Sequence, residues 1–386
     1  MIQSFQISRG PRVRFGRGEA ACIGEEAKAL GMKRPMLLTD PGLVAAGVLE
    51  PVIAGFKKAG ADYCLFEKAE PNPSDESIPR AKEFYVSNGC QGIVAVGGGS
   101  ALDTAKAMGA LISNGGKIAD YYGVNKPAKR VPLFITVPTT AGTGSEVTRA
   151  SIITDTERQV KASIHSDMLY ADLAVVDSTL MARLPRPVAA GALMDALTHA
   201  IESIGSNKSS PWTEAMCMQA IGLIGKYARR FVQNPADPEA ADALALAAAL
   251  AGASFTNTGL GIVHALTHPY FMTFGGHHGT INAILLAPVM RFNLPVMREK
   301  YARMAPLLAG PDADPRDPAA AEAAIEGVRA LGQDIGIPST FRAYCGGSEE
   351  HLDVMSREAA KSGSVQTNPV FADEAEMRAL YLEAMG

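Results

Sequence analysis

The stretch GIVAVGGGSALDTAKAMGA, from Gly92 to Ala110, carries the pattern that decides the fold. Its apolar start, Gly92 to Val96, predicts a short buried strand; three glycines predict a tight turn, and a helix is expected from Ser100 with that hydroxyl as its cap. Such a turn can bind phosphate or pyrophosphate, because backbone N–H groups and the positive end of the helix dipole face one point. The spacing matches neither the Rossmann fingerprint nor the P-loop, and a plain strand-to-helix turn has the same pattern.

Short apolar segments alternate with helical segments through the first half of the chain. Besides the strand above, they are MLLTD at 36–40, DYCLF at 62–66 and LFITV at 133–137. This alternation predicts a parallel sheet covered by helices. After the hinge-like segment LAVVDSTLMARLPRP at 173–187, alanine-rich segments with helical periodicity run almost to the end. We therefore predict an α/β domain over residues 1–182, with a parallel sheet and helices, followed by an all-α domain over residues 183–386.

Most of the histidines fall in three short segments of the second domain. In GALMDALTHAIES, Asp195 and His199 stand four residues apart, which places both side chains on one face of a helix. GLGIVHALTHPY repeats this spacing with His264 and His268, and Pro269 is expected to end that helix. The third segment, FGGHHGTINA, contains two adjacent histidines in a glycine-flanked turn.

Those two adjacent residues are His277 and His278. Any one of the histidines taken alone is read as a core or capping residue. Grouped with a carboxylate they predict a divalent metal site, because imidazole nitrogens and a carboxylate oxygen suit Fe²⁺ or Zn²⁺. The predicted ligands are Asp195, His199, His264 and His278.

Two further loops could contact a dinucleotide. Asp40 follows the predicted strand from Pro35 to Thr39, where a carboxylate accepts hydrogen bonds from a ribose diol and repels a 2′-phosphate, which favours NAD over NADP. Asp-Pro-Gly is also a common turn. The hydroxyl-rich loop PTTAGTGSEVT, from Pro138 to Thr148, follows another predicted strand and could bind phosphate, ribose or nicotinamide.

Taken together, these motifs resemble the iron-dependent (group III) alcohol dehydrogenase family over nearly the whole chain. The motifs are GGGSALDTAK at 97–106, PTTAGTGSE at 138–146, DALTHAIE at 195–202 and GLGIVHALTHP at 259–269. The resemblance implies an NAD-binding first domain, a metal-binding second domain and hydride transfer between NAD(H) and an alcohol or aldehyde, with Fe²⁺ or Zn²⁺ as a Lewis acid.

The resemblance also implies roles for individual residues. The family's metal-ligand positions fall on the four residues given above, and His268 falls where a histidine takes part in proton transfer. Phe255 falls on a residue of the substrate pocket. The cofactor contacts fall on Asp40, Asn72, Gly98, Gly99, Ser100, Asp103, Thr139, Thr140, Thr143 and Lys161.

Two departures from the family's pattern stand beside the predicted site. His277 replaces a proline common before the third metal histidine, and the bulky stretch 270–274 replaces glycines. The assignment of His278 over His277 as the ligand therefore follows from alignment to Gly279. The bulkier stretch indicates an altered substrate pocket, in which we also place His277. The segments HHGTINA at 277–283 and TNP at 367–369 are similar to the 4-hydroxybutyrate dehydrogenase branch, so a small primary alcohol or a hydroxy acid such as 4-hydroxybutyrate is the expected substrate.

Composition agrees with this interpretation. A chain of 386 residues with 47% hydrophobic content can bury two cores, and a net charge of -4 gives no general attraction to nucleic acid or anionic membranes. Five dispersed cysteines and an N-terminus without a signal-peptide core predict a cytoplasmic protein. The resemblance implies a homodimer or larger homo-oligomer. Three alternatives stay open: a lyase similar to dehydroquinate synthase, a metal-free reductase similar to maleylacetate reductase, and a catalytically silent protein.

Overall fold

The computed structural model describes residues 4–345 and 348–386. The chain divides into two compact units between Arg183 and Leu184, one residue from the predicted boundary, and residues 4–7 group with the second unit. We describe each unit separately.

The first unit, Ser8–Arg183, alternates strands and helices as the sequence predicts. Its strands are β1 (Arg12–Phe15), β2 (Met36–Leu38), β3 (Cys64–Phe66), β4 (Ile93–Gly97), β5 (Gly123–Val124), β6 (Phe134–Pro138), β7 (Ala150–Asp155), β8 (Val160–His165) and β9 (Leu173–Val176). Its helices are α1 (Ile23–Ala29), α2 (Pro41–Ala45), α3 (Glu50–Ala59), α4 (Ser77–Ser87) and α5 (Gly99–Asn114). Six strands form a parallel sheet in the order β1-β9-β6-β4-β2-β3.

Helices cover both faces of this sheet, because the central strands are apolar on both sides. In β4, Ile93 belongs to the core packed beneath α4 and α5, whereas Val94 belongs to the core packed beneath α1 and α3. Strands β2, β4 and β6 are adjacent and parallel, so the loops after them leave the same edge of the sheet. This edge is where an open α/β sheet binds ligands. A second sheet, β5-β8-β7, was not predicted.

The second unit is helical throughout its described residues, in agreement with the predicted all-α domain. Its helices are α6 (Arg186–Gly205), α7 (Pro211–Gln233), α8 (Pro238–Thr258), α9 (Ile262–Phe274), α10 (His278–Leu308), α11 (Ala320–Asp334), α12 (Phe341–Tyr344), α13 (Leu352–Ala360) and α14 (Glu374–Met385). Helix α10 is long and apolar enough to cross a membrane by composition, but 67% of its apolar window is buried within the protein, as in a core helix.

A glycine pair brings α6 and α10 into close contact. A Cβ atom on Gly279, in the first turn of α10, would overlap the carbonyl oxygen of Gly191 in α6 and come 3.0 Å from the Cβ of Asp195. Only glycine therefore permits the backbone approach that places the start of α10 beside Asp195.

Two local predictions are wrong. Helix α5 begins at Gly99 with Gly98 as its N-cap, and the Ser100 hydroxyl accepts a hydrogen bond from the Asn72 N–H instead of capping the helix. Pro269 does not end α9, which continues to Phe274. Tertiary packing outweighs the hydrogen bond lost at this proline, because the Tyr270 ring stacks on Phe341 at 3.8 Å between ring centroids.

Candidate functional site

Three helices of the second unit deliver the candidate metal ligands. Asp195 and His199 lie one turn apart on α6, a helix that is buried along most of its length. His264 lies in the first turn of α9, directly after a glycine turn, and His278 is the first residue of α10. Each side chain is therefore fixed to a packed helix.

Three imidazole nitrogens converge on one carboxylate oxygen. The Nε2 atoms of His199, His264 and His278 lie 3.5, 3.6 and 3.7 Å from Oδ1 of Asp195. Four tetrahedral ligands about 2.1 Å from one ion stand about 3.4 Å apart. The ligand atoms of Asp195, His199 and His264 all lie within 4.8 Å of one another, so these three can hold a single divalent cation, and His278 lies beside them at 3.7 Å from Asp195. Asp195, His199 and His264 are buried, and about a third of the His278 side chain is exposed.

The charges around this cluster also favour a cation. Burial opposes ionisation of Asp195, but the surrounding histidines hold the pKa of that carboxyl well below its usual range. Burial would lower the pKa of His264, yet the carboxylates of Glu202 and Asp195 outweigh it and raise this pKa to about 9. A proton thus occupies a position that a metal ion can take, and the donor set suits Fe²⁺ or Zn²⁺.

Further polar side chains surround the cluster. The Glu202 carboxylate lies 2.6 Å from Nδ1 of His264 and accepts a second hydrogen bond from the Val263 N–H. The Asn282 amide donates to Oδ1 of Asp195 at 2.7 Å, and the Thr267 hydroxyl donates to the Asn282 carbonyl oxygen. None of these three side chains was assigned a role from the sequence.

The sequence contained a signal for two of them. Glu202 stands three residues after His199, and Asn282 stands four residues after His278, so each shares a helix face with a predicted ligand. Polar side chains at those spacings are candidates for contacts to the ligands themselves.

The remaining predicted residues of this unit lie around the cluster. The His268 ring is 5.6 Å from the His278 ring, and the Phe255 ring is 4.4 Å from that of His199, between centroids. His277 is the N-cap residue of α10 but makes no side-chain capping hydrogen bond. Its ring lies against Gly191, and its buried Nδ1 lacks a hydrogen-bond partner within the described part of the chain. It is His278, not His277, that reaches Asp195.

In the first unit, the predicted nucleotide residues gather at the carboxyl edge of the sheet. Asp40 caps α2 by accepting from the Leu43 N–H, and its other carboxylate oxygen is 3.8 Å from the Cβ position of Gly97. A Cβ on Gly99 would come 2.8 Å from the Thr143 side chain, and one on Gly98 would come 3.4 Å from Thr140. The glycine turn and the hydroxyl-rich loop therefore pack closely, with no room for a larger side chain at Gly99.

Asn72 connects the glycine turn at this edge to the second sheet, through hydrogen bonds to Ser100 and to Lys161 of β8. It has a left-handed backbone with φ of 53°, its N–H donates to the Ser100 hydroxyl, and its side-chain oxygen accepts from Nζ of Lys161 at 2.9 Å. Burial lowers the pKa of Lys161 to about 8, against the opposing charge of Asp103. Thr139, also a predicted contact, follows β6 directly and donates its N–H to the Gly97 carbonyl.

Asp103 accepts hydrogen bonds from residues of its own unit. Its two carboxylate oxygens accept from the Ser145 hydroxyl at 2.9 Å and from the Ile152 N–H at 3.1 Å. Lys106, one turn further along α5, is fully buried and donates to the carbonyl oxygens of Ser145 and Ala150. These side chains fix the hydroxyl-rich loop against α5.

Comparisons with known proteins cover both units. A family model described as iron-containing alcohol dehydrogenase matches residues 10–178, and the model of the C-terminal part of the Fe-containing alcohol dehydrogenase family matches residues 189–385. The NAD-dependent methanol dehydrogenase of Bacillus methanolicus is 37% identical over 92% of this chain and 93% of its own length. The 1,3-propanediol dehydrogenase of Citrobacter freundii is 36% identical over 96% of both.

Solved structures agree in fold. A crystal structure of 1,3-propanediol oxidoreductase superposes with a TM-score of 0.95 at 35% identity, over 99% of this chain and 100% of the other. An alcohol dehydrogenase from Oenococcus oeni gives a TM-score of 0.94 at 34% identity, with the same coverage. The chain therefore belongs to the iron-containing alcohol dehydrogenase family and is an NAD-dependent oxidoreductase that interconverts alcohols and aldehydes.

Proposed function

We propose that this enzyme holds one Fe²⁺ or Zn²⁺ through Asp195, His199, His264 and His278, and interconverts a small primary alcohol or hydroxy acid, such as 4-hydroxybutyrate, with its aldehyde. The observation that carries the proposal is the convergence of three imidazole Nε2 atoms on one oxygen of Asp195, at 3.5 to 3.7 Å. Histidines that served only as separate core residues would not be expected to place their Nε2 atoms around one carboxylate oxygen.

When bound, the metal supplies Lewis-acid polarisation of the substrate oxygen, and NAD supplies the hydride acceptor. The side chains of this chain supply proton transfer and the surface of the substrate pocket. In alcohol oxidation, His268 would help transfer the hydroxyl proton of the substrate to solvent. An imidazole suits this step because it titrates near neutral pH. Phe255, beside His199, contributes apolar surface to the substrate pocket.

The nucleotide is proposed to bind at the carboxyl edge of the six-stranded sheet. The N-terminus of α5 and the glycines before it offer N–H groups to the pyrophosphate, and Asp40 favours NAD over NADP. The proposed contacts comprise Asp40, Asn72, Gly98, Gly99, Ser100, Asp103, Thr139, Thr140, Thr143 and Lys161.

The proposed substrate class has two supports. The relatives compared above are named for methanol and 1,3-propanediol, both small primary alcohols. The segment HHGTINA supplies the cue for 4-hydroxybutyrate, whereas the TNP segment has a structural explanation. Thr367 donates to the Leu260 carbonyl, and Asn368 accepts from the Ile262 N–H, so both brace the turn before α9.

We further propose a cytoplasmic enzyme that acts as a homodimer or larger homo-oligomer, and that binds neither nucleic acid nor membranes. All five cysteines, each among the described residues, are free thiols, which suits a reducing compartment.

The direct test is NADH oxidation by anaerobically reconstituted protein against a panel of small aldehydes that includes succinic semialdehyde. We expect metal-dependent turnover with short aldehydes and a ranking that identifies the substrate. Binding of metal without turnover on any aldehyde would favour a lyase or a silent protein, and turnover that survives removal of the metal would favour a reductase similar to maleylacetate reductase.

A further inference from the structure

We propose that Glu202 and Asn282 are positioning residues that set the metal ligands before the ion binds. Glu202 holds one proton of His264 on Nδ1, so Nε2 is the nitrogen that gives up its proton and binds the metal. Asn282, oriented by Thr267, holds the ligating oxygen of Asp195. The inference rests on the metal site of the proposed function.

Glu202 is placed to accept and not to donate. It is buried, with about 4% of its side chain exposed, and lies on α6 less than one turn after His199. One oxygen is 2.6 Å from Nδ1 of His264 and the other accepts from the Val263 N–H at 2.7 Å. Both hydrogen bonds come from the first turn of α9, where the helix dipole favours a negative charge. With both oxygens bonded, the carboxylate is held in one orientation.

This contact decides which nitrogen of His264 can bind a metal. A neutral imidazole carries one proton, and a carboxylate can only accept a hydrogen bond, so the proton belongs on Nδ1. Nε2 then presents its lone pair on the side of the ring where Asp195 Oδ1 lies, 3.6 Å away. Carboxylate contacts of this kind fix the tautomer and orientation of metal-binding histidines.

Asn282 orients the carboxylate of Asp195, as Glu202 orients the ring of His264. Because the Thr267 hydroxyl donates to the Asn282 carbonyl oxygen at 2.6 Å, the amide NH₂ must face the opposite way. That NH₂ lies 2.7 Å from Asp195 Oδ1 and 3.2 Å from His264 Nε2. Thr267 and Asn282 are both fully buried. The amide of Asn282, on α10, thus holds the Asp195 carboxylate of α6 in an orientation set by Thr267 of α9.

The substitution Glu202→Gln tests the proposal with almost no change in shape. A glutamine has one acceptor and one donor group, whereas Val263 and His264 both require an acceptor. If its oxygen faces Val263, its NH₂ faces Nδ1 of His264 and forces the proton onto Nε2, where it blocks the metal. If the amide is reversed, its NH₂ opposes the Val263 N–H. Neither orientation reproduces the native contacts.

The readout is the affinity of metal-free full-length protein for Zn²⁺ alone, measured by competition with a chromophoric chelator. We expect Glu202→Gln to bind Zn²⁺ about 10–100-fold more weakly than wild type. Glu146→Gln is the matched control, because Glu146 is a similarly buried carboxylate in the other unit, and its Zn²⁺ affinity is expected to be unchanged. Thermal unfolding of the metal-free proteins checks that each variant is folded.

Thr267→Val is a second, isosteric variant that keeps the proposal testable if Glu202→Gln does not fold. Without the hydroxyl donor the Asn282 amide can turn, and we expect a several-fold loss of Zn²⁺ affinity with all four ligands present. Wild-type affinity in folded Glu202→Gln, or in Thr267→Val, would overturn the assignment of the altered residue. A wild-type protein that binds neither Zn²⁺ nor Fe²⁺ would instead overturn the proposed function, and this inference with it.

Discussion

Asp195 illustrates how much of the chemistry depends on single atoms. One oxygen of its carboxylate faces three imidazole nitrogens and also accepts from the Asn282 amide. A carboxylate held ionised among histidines attracts a cation, and the histidines compete for the same position as protons. His268 differs from the four predicted ligands in its position, with its ring centroid 5.6 Å from that of His278.

This difference gives a prediction for two histidines on one helix. His264→Ala is expected to lose bound metal, because it removes a ligand, and to lose turnover with it. His268→Ala is expected to keep its metal and to lose about 10²-fold or more in turnover, the scale of general acid–base catalysis. Metal content by elemental analysis and steady-state rates separate the two variants. Unchanged metal content in His264→Ala would refute the ligand assignment.

Lys161 gives a pH-dependent prediction in the first unit. Burial lowers the pKa of this lysine to about 8, so it is charged below pH 8 and becomes neutral above it. If the charged amine attracts the phosphates of the cofactor, NADH affinity falls as pH rises through about 8. Lys161→Met is expected to bind NADH about tenfold more weakly at pH 7 and to lose this pH dependence. Fluorescence titration with NADH checks both effects, and parallel pH profiles in the two proteins would argue against a cofactor contact.

At the scale of elements, Lys106 connects α5 to the hydroxyl-rich loop and β7. Its amine donates to Ser145, Thr148 and the Ala150 carbonyl, and it is fully buried. Lys106→Met leaves several buried acceptors without a donor and is expected to lower the free energy of unfolding by about 3 kcal/mol. Lys68→Met, at an exposed lysine of the same unit, serves as control. Denaturant unfolding of both variants provides the measurement, and equal stability would contradict the role given to Lys106.

The elements that the sequence predicted correctly are those with strong apolar patterns. The strands at 36–38, 64–66, 93–97 and 134–138 follow from short buried runs between turns, because an apolar run of that length fits a central parallel strand. The predicted Ser100 cap and the predicted helix end at Pro269 were wrong. In both places a distant contact decides the outcome, through Asn72 at Ser100 and through Phe341 at Tyr270, and local propensity does not contain such contacts.

Some residues of the candidate site were predicted from the sequence and others were not, because local sequence patterns do not contain contacts between distant segments. The histidine spacing and the family resemblance indicated all four residues that converge in the structure. Glu202 and Asn282 were missed because a buried carboxylate or amide on a helix has many possible partners, and only the packing of α6, α9 and α10 selects one. Asp103, predicted as a cofactor contact, has both carboxylate oxygens bonded within its own unit, and its role towards NAD stays a prediction.

At the scale of the whole molecule, the two units divide the proposed tasks, with the nucleotide residues in Ser8–Arg183 and the metal residues in Leu184–Gly386. Metal should therefore stabilise the helical unit by mass action. An ion present at a hundred times its dissociation constant contributes about 2.7 kcal/mol, which for a domain of this size raises Tm by about 5–10 °C. Calorimetry with and without a chelator measures this shift. An unfolding transition that is indifferent to metal would contradict the proposed site.

The measurement that tests the central claim most directly is a metal titration of the chelator-stripped enzyme, with NADH oxidation and metal binding followed together under anaerobic conditions. The aldehyde that ranks first in the panel serves as substrate. The proposed site predicts that the rate rises in proportion to bound Fe²⁺ or Zn²⁺ and stops rising at one ion per chain. Full activity before any metal is added, or a filled site without turnover, would contradict the claim that these four residues hold the ion used in the reaction.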